Sequence, residues 1–180
     1  MYHLSVADAA LAGSPEGVTD AVALGPAAPS PREPAGSPRL PPANDDFAAP
    51  IVMQGVRWST AGTNRGATLE PGEPNHDGAS PGASVWWRWT APRSGMVRLT
   101  TQGSDFDTVL GVYAGDSLAG LKAVASNDDD DRGRHSAAYF FATAGGTYSI
   151  AVAGYHAWTG HVVLSLDSLG PERRPGPWRN

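Results

Sequence analysis

Four short stretches of this chain carry clustered acidic residues, the composition that a calcium site requires. They are Asn44, Asp45 and Asp46; Glu70 and Glu73; Asp105 and Asp107; and Asn127, Asp128, Asp129, Asp130 and Asp131. Ca²⁺ takes about six to eight oxygen ligands, several of them carboxylate, on a loop that wraps the ion. Four consecutive aspartates also repel one another, and a bound cation would relieve that repulsion.

The same residues are typical of ordinary turns, because Asp and Asn side chains cap nearby backbone groups. The Asp128–Asp131 run does not follow the EF-hand pattern, since no suitably placed glutamate closes a loop. Two interpretations therefore stay open for the acidic stretches, a calcium site and solvated turns.

A second candidate site is the stretch GYHAWTG, which contains Tyr155, His156 and Trp158. An exposed aromatic loop suits a sugar or polymer, because the rings stack on apolar faces while their polar tips form hydrogen bonds. We therefore predict ligand binding by these three residues. In the alternative interpretation, Trp158 folds over the open end of the domain and covers its core.

Alternating apolar residues indicate the elements that position these sites. In Ser84–Thr90, Val85, Trp87 and Trp89 fall on one face, and Trp86 and Arg88 on the other. Similar alternation gives further inward sets, namely Val97 and Leu99; Thr108, Leu110 and Val112; Tyr148, Ile150 and Val152; and Val162, Leu164 and Leu166. Short strands separated by turn residues predict an all-β sandwich of eight or nine antiparallel strands.

The composition divides the chain into three parts. Residues 1–43 hold half of the 16 prolines and no Trp or Phe, so we expect a disordered Ala/Pro-rich arm or linker. The β-sandwich is predicted over residues 44–168. Residues 169–180 are broken by Pro and Gly and are predicted to be a flexible tail.

Composition also excludes several functions. The net charge of −5 argues against nucleic-acid binding, and no run of about 18 apolar residues is present to span a membrane. The chain has no cysteine, hence no disulfide or thiolate metal site. No nucleophile elbow or P-loop is found, and the five histidines lack zinc-site spacing, so we predict no enzyme activity.

Seven blocks of sequence, taken in order, resemble the bacterial pre-peptidase C-terminal (PPC) type domain. They begin at Asn44 (NDDF), Gly66 (GATLEPGEP), Ser84 (SVWWRWTAP), Gly103 (GSDFDTVL), Ala125 (ASNDD), Ala142 (ATAGGTY) and Ala151 (AVAGY). The resemblance spans residues 44–168. It implies a jelly-roll-like β-sandwich and an accessory role beside secreted hydrolases or in cell-surface proteins.

Some members of that family bind calcium near the N-terminal edge of the domain, and some bind collagen or other polymers. The resemblance therefore makes Asp45 and Asp46, with Glu70 or Glu73, the first choice for calcium, and the Asp128–Asp131 turn the second. Close relatives often carry a cysteine pair, one before the Ser-Asp-Phe-Asp motif and one after the Asn-Asp-Asp turn. This chain has neither, so that tie is lost or replaced.

Three functional hypotheses follow from these patterns. The first is a non-catalytic accessory module of a secreted or cell-surface protein, stabilised by calcium and contacting an extracellular polymer or an adjacent catalytic domain. The second is a ligand-free structural spacer. The third, with the least support, is a hydrolase whose catalytic residues are scattered along the sequence.

Overall fold

The computed structural model describes residues 40–76, 82–130 and 133–170. Within these ranges the chain forms nine strands: β1 (Ile51–Met53), β2 (Arg57–Thr63), β3 (Val85–Thr90), β4 (Gly95–Thr100), β5 (Thr108–Ala114), β6 (Lys122–Asn127), β7 (Ala137–Ala142), β8 (Thr147–Gly154) and β9 (His161–Gly170). Two 3₁₀ turns span Leu118–Gly120 and Tyr155–Ala157. The predicted arm lies outside the described residues except for 40–43, and the predicted tail except for 169 and 170, which end β9.

The strands form two sheets, one of five strands in the order β1-β3-β8-β5-β6 and one of four in the order β2-β9-β4-β7. The predicted all-β sandwich is confirmed. One detail differs from the antiparallel prediction, because β1 pairs with β3 in parallel. The chain crosses to the other sheet as β2 between these two strands, and such a long crossover is what parallel pairing requires.

The main core lies between the sheets and is built from the predicted inward faces. Val85, Trp87 and Trp89 of β3 are buried there, together with the apolar residues predicted for β4, β5, β8 and β9. His161 and Ser165 of β9 point away from this core, His161 being exposed, as the alternation predicts. Period-2 patterning is therefore sufficient to orient these strands.

A second cluster covers the opposite face of the five-stranded sheet. Trp86 points away from the main core, as predicted, but it is completely buried beneath Phe47 and beside Tyr113. Asn44 fixes the covering segment, because its carbonyl accepts from the Trp86 N–H (2.8 Å) and its side-chain amide donates to the Trp86 carbonyl (3.0 Å). The segment that precedes β1 is therefore part of the fold.

A buried hydroxyl cluster joins β5 to the segments that follow β4 and precede β7. The Thr101 and Thr108 hydroxyls lie 2.6 Å apart, and the Ser136 hydroxyl oxygen lies 2.6 Å from the Thr108 carbonyl oxygen and 2.8 Å from the Asp128 carbonyl oxygen, either of which can accept its one hydrogen. The Ser136 N–H also donates to the Thr101 hydroxyl (2.8 Å). These hydrogen bonds join the three segments and anchor the acidic turn to the sandwich.

Candidate cation and aromatic site at one end of the sandwich

The carboxylates predicted first for calcium are engaged in hydrogen bonds of the protein itself. Asp45 is buried, and its two oxygens accept from the Thr68 N–H (2.7 Å) and hydroxyl (3.0 Å). Glu70 accepts from the Phe47 N–H (2.5 Å), whereas the Asp46 residue is exposed. These bonds hold the segment before β1 against the loop before β3, as caps do.

Glu73 belongs to a buried polar network rather than to an open cluster of acids. One carboxylate oxygen accepts from the Ser84 hydroxyl and contacts His76 Nε2 (3.0 Å), and the other accepts from the Glu70 N–H (3.0 Å). His76 Nδ1 lies 2.6 Å from the Tyr113 hydroxyl. Because the Ser84 hydroxyl donates to Glu73, it is not paired with His76 as a nucleophile with its base would be.

The structure brings together a different group of carboxylates, formed by Asp107, Asp128 and Asp129. One oxygen from each lies within 4.8 Å of the others. Two oxygens on opposite sides of a Ca²⁺ ion are separated by about this distance, since each Ca–O bond measures about 2.4 Å. Asp128 and Asp129 belong to the second predicted site. Asp130 directs its N–H to the His135 carbonyl (2.7 Å), and Asp131 lies outside the described residues.

Asp107 lies in one of the four acidic stretches but in neither of the two groups preferred for calcium, and strand pairing explains its position. It directly precedes β5, while Asp128 and Asp129 directly follow β6. These strands pair antiparallel, with Leu110 opposite Asn127, so the start of β5 adjoins the end of β6. Pairing the predicted strands β5 and β6 as an antiparallel hairpin would have indicated, from the sequence, that the two acidic stretches adjoin.

The environment of Asp107 disfavours its ionised form. Burial raises the pKa of its carboxyl, and the neighbouring Asp129 raises it further, while Arg134 and His156 act in the opposite direction. Asp107 Oδ1 is shielded from solvent and has no hydrogen-bond donor among the described residues. A desolvated carboxylate beside a second negative charge gains from a cation, which supplies the missing positive charge.

The predicted aromatic loop follows β8 as a tight turn. His156 and Ala157 adopt positive φ angles of 45° and 62°, a conformation that residues other than glycine rarely adopt. Gly82 packs directly beneath this turn, where an added Cβ would lie 2.9 Å from the Ala157 Cα. The buried Asn64 side chain donates to the Trp158 carbonyl (3.1 Å). The loop backbone is therefore firmly held in an uncommon conformation.

Trp158 is 48% exposed, and it is not among the described residues that pack against the main core. The Arg134 guanidinium lies 5.3 Å from the centre of its ring, within the range of a cation–π contact. The Tyr155 and His156 rings contact each other edge to face, with centroids 4.1 Å apart. Trp158 and His156 are thus accessible to a ligand, and Tyr155 is partly so.

The second predicted calcium site and the predicted aromatic site adjoin and form one surface, which we call the loop end. It consists of Asp107, Asp128, Asp129, Arg134 and Tyr155–Trp158. The Tyr155 N–H donates to the Asp107 carbonyl (3.0 Å), and Arg134, from the acidic turn, lies over Trp158. Beside the loop end is a cavity of about 280 Å³, lined by Ser104, Asp105, Phe106, Arg134 and His135. Acidic, basic and aromatic groups therefore converge at this end of the sandwich.

None of the helical segments among residues 40–76, 82–130 and 133–170 has the length and apolar character needed to cross a membrane. No family model matches the chain, and no curated protein matches it. Among solved structures, it is similar to the pre-peptidase C-terminal domain of collagenase from Bacillus anthracis, with 13% sequence identity and a TM-score of 0.44. The likeness covers 65% of this chain and 93% of that chain. By its title, that solved domain is of the type that the seven sequence blocks resemble.

Proposed function

We propose that this chain is a non-catalytic accessory module of a secreted or cell-surface bacterial protein, and that it holds an extracellular polymer or an adjacent catalytic domain at the loop end. The exposed Trp158 ring, beside Arg134 and a cluster of three carboxylates, carries the proposal. The seven ordered PPC-type blocks support the accessory role.

The side chains of the loop end suit a ligand with both apolar faces and polar edges. An exposed indole stacks on the apolar face of a sugar or proline ring, and a guanidinium donates hydrogen bonds from a planar fork. The loop backbone is pinned by Asn64 and Gly82, so little conformational entropy is lost when a ligand binds. This combination favours polymer binding over a purely structural role.

We further propose that Ca²⁺ binds Asp107, Asp128 and Asp129. Their oxygens are close enough to share one ion. Asp107 Oδ1, which has no hydrogen-bond donor among the described residues, would gain a favourable contact with the ion. Asp107 also accepts the Tyr155 N–H through its carbonyl, so the ion would stabilise the base of the aromatic loop. Calcium in this proposal has a structural role, supporting the polymer-binding surface.

The Asp107→Asn variant is expected to change stability in opposite directions with and without calcium. Because the folded state raises the pKa of Asp107, stability falls as the pH rises from the usual value near 3.8 through the raised value, and the penalty persists at neutral pH. In EDTA the variant should therefore melt slightly higher than the wild type. Saturating calcium at about one hundred times Kd should stabilise the wild type by about 2.7 kcal/mol, or several degrees, and the variant hardly at all.

The matched control is Asp116→Asn, which removes an exposed aspartate away from the cluster. Its melting midpoints in EDTA and in calcium should equal those of the wild type. If calcium raises the midpoint of Asp107→Asn as much as that of the wild type, the ion binds elsewhere, and Asp45, Asp46, Glu70 and Glu73 become the group to replace. If no calcium response occurs in the wild type, the acidic stretches are solvated turns.

Trp158→Ala is expected to weaken binding to a polymer about tenfold or more, the effect of losing a central aromatic contact. The measurement is a pull-down of the 180-residue chain with a panel of insoluble polysaccharides and matrix proteins, in calcium. Because almost half of Trp158 is exposed, the melting midpoint should stay close to that of the wild type.

Leu69→Ala provides the control for this measurement, since Leu69 is similarly exposed (44%) but lies outside the loop end. It should bind the polymer as the wild type does. An equal loss of polymer binding in Trp158→Ala and Leu69→Ala would mean that the polymer binds outside the loop end or binds unspecifically. If the wild type binds no polymer in the panel and no neighbouring domain, the module is the ligand-free spacer.

A further inference from the structure

Strand β7 is an edge strand with an unusual surface. It ends the four-stranded sheet, has the sequence AAYFFA, and exposes 55% of Tyr139 and 60% of Phe141 side by side on its outer face. We propose that two copies of this chain pair through β7, antiparallel, about a two-fold axis that passes by Phe140.

The hydrogen bonds at the start of β7 show which backbone groups face the open edge. The Ser136 carbonyl accepts from the Thr101 N–H on the side of β4, whereas the Ala137 N–H donates to Asn127 Oδ1 on the opposite side. In an antiparallel ladder, successive residues direct their N–H and C=O groups to alternate sides. Tyr139 and Phe141 therefore direct theirs away from β4, to the edge where the described sheet has no further strand.

Only one antiparallel register uses these groups without breaking an existing bond. With Phe140 on the axis, Tyr139 of each copy lies opposite Phe141 of the other, and each such pair exchanges two hydrogen bonds. A register centred on Tyr139 would need the Ala137 N–H, which Asn127 already binds (2.7 Å). A register centred on Phe141 would need the Thr143 N–H, which donates to the Tyr148 hydroxyl (3.0 Å).

Side chains and charges suit the same arrangement. Tyr139 and Phe141 of the two copies form two aromatic cross-strand pairs on one outer face, where they shield each other from water. A positive charge lies beside this face: Arg98 on β4 pairs with Tyr139, and its guanidinium lies 6.0 Å from the Tyr139 ring centre. On β4, Arg98 lies beside Tyr139 and Met96 lies beside Phe141. Because Tyr139 of one copy pairs with Phe141 of the other, Arg98 of one copy lies in line with Met96 of the other, and the two Arg98 charges do not face each other.

The other long edges of the sandwich are less suited to self-pairing. Strand β6 begins with Lys122 and β2 begins with Arg57, and charged residues on edge strands oppose edge-to-edge association. Strand β1, the remaining edge, has only three residues. Among the described strands, β7 is thus the edge with both a sufficient length and an uncharged, aromatic surface.

Sedimentation of the 180-residue chain over a range of concentrations tests the pairing. We expect a reversible monomer–dimer equilibrium, with Phe141→Lys raising the dissociation constant about tenfold or more, because a lysine replaces one ring of each aromatic pair. The matched control is Val124→Lys on the β6 edge, which should leave the dimer intact. Circular dichroism should show that the wild type and both variants are folded.

If Phe141→Lys does not fold, Tyr139→Lys removes the other ring of the pair and should weaken the dimer equally. A wild type that remains monomeric up to about 1 mM overturns the proposal. A dimer that is unchanged in Phe141→Lys, or one that Val124→Lys abolishes instead, also overturns it.

Discussion

Trp86→Ala is expected to lower the free energy of unfolding by about 3–5 kcal/mol, the usual cost of removing a large buried aromatic side chain. The indole is completely buried, and its ring centre lies 5.1 Å from that of Phe47 and 5.7 Å from that of His76. Its N–H has no hydrogen-bond partner among the described residues, so the loss concerns packing. For a domain of this size, the melting midpoint should fall by about 10–20 °C.

Trp86→Phe and Trp158→Ala are the comparisons for this measurement. Trp86→Phe keeps a ring in the second cluster and should lose less than Trp86→Ala, while the exposed Trp158 should change stability by about 0.5 kcal/mol or less. A loss below about 1 kcal/mol for Trp86→Ala would mean that Phe47 and its segment do not cover the sheet.

Glu73→Ala is expected to cost about 3–5 kcal/mol, because it removes the acceptor that a buried network shares. His76, the Ser84 hydroxyl and the Glu70 N–H all lose their partner at once. Buried polar groups left without a partner destabilise a fold far more than an intact pair stabilises it. Chemical denaturation with urea would measure the loss as a lower transition midpoint.

Asp46→Ala is the matched control, since Asp46 lies in the same region but is exposed. It should change the free energy of unfolding by about 0.5 kcal/mol or less. Glu73→Gln should fall between the two variants, because its amide keeps an oxygen for some donors but places an NH₂ group near others. Equal stability of Glu73→Ala and the wild type would show that the network does not hold the loop.

The fold was predictable from sequence where the evidence is local. Alternation in β3 assigned Trp87 and Trp89 to the core and Trp86 to the other face, because a strand turns successive side chains to opposite sides. Alternation could not predict that Trp86 is buried as well. Its cover comes from Phe47, in a distant segment, and no periodic pattern links the two.

The candidate site was predictable only in part, for a similar reason. The acidic run that contains Asp128 and Asp129 and the aromatic loop that contains Trp158 were found from composition. Their meeting at one end, and the addition of Asp107, depend on how β5 pairs with β6 and β8. Conversely, Glu73 has the residue type of a calcium ligand, but its neighbours His76 and Ser84 already use its oxygens.

The buried hydroxyl cluster makes the anchoring of the acidic turn independent of redox conditions. A disulfide between such segments would form only where an oxidant is available and would be lost to thiol reductants. Hydrogen bonds among Thr101, Thr108 and Ser136 form as the strands pair, and reductants do not affect them. The domain can therefore complete its fold in a reducing or an oxidising medium, and the loop end keeps the same support in both.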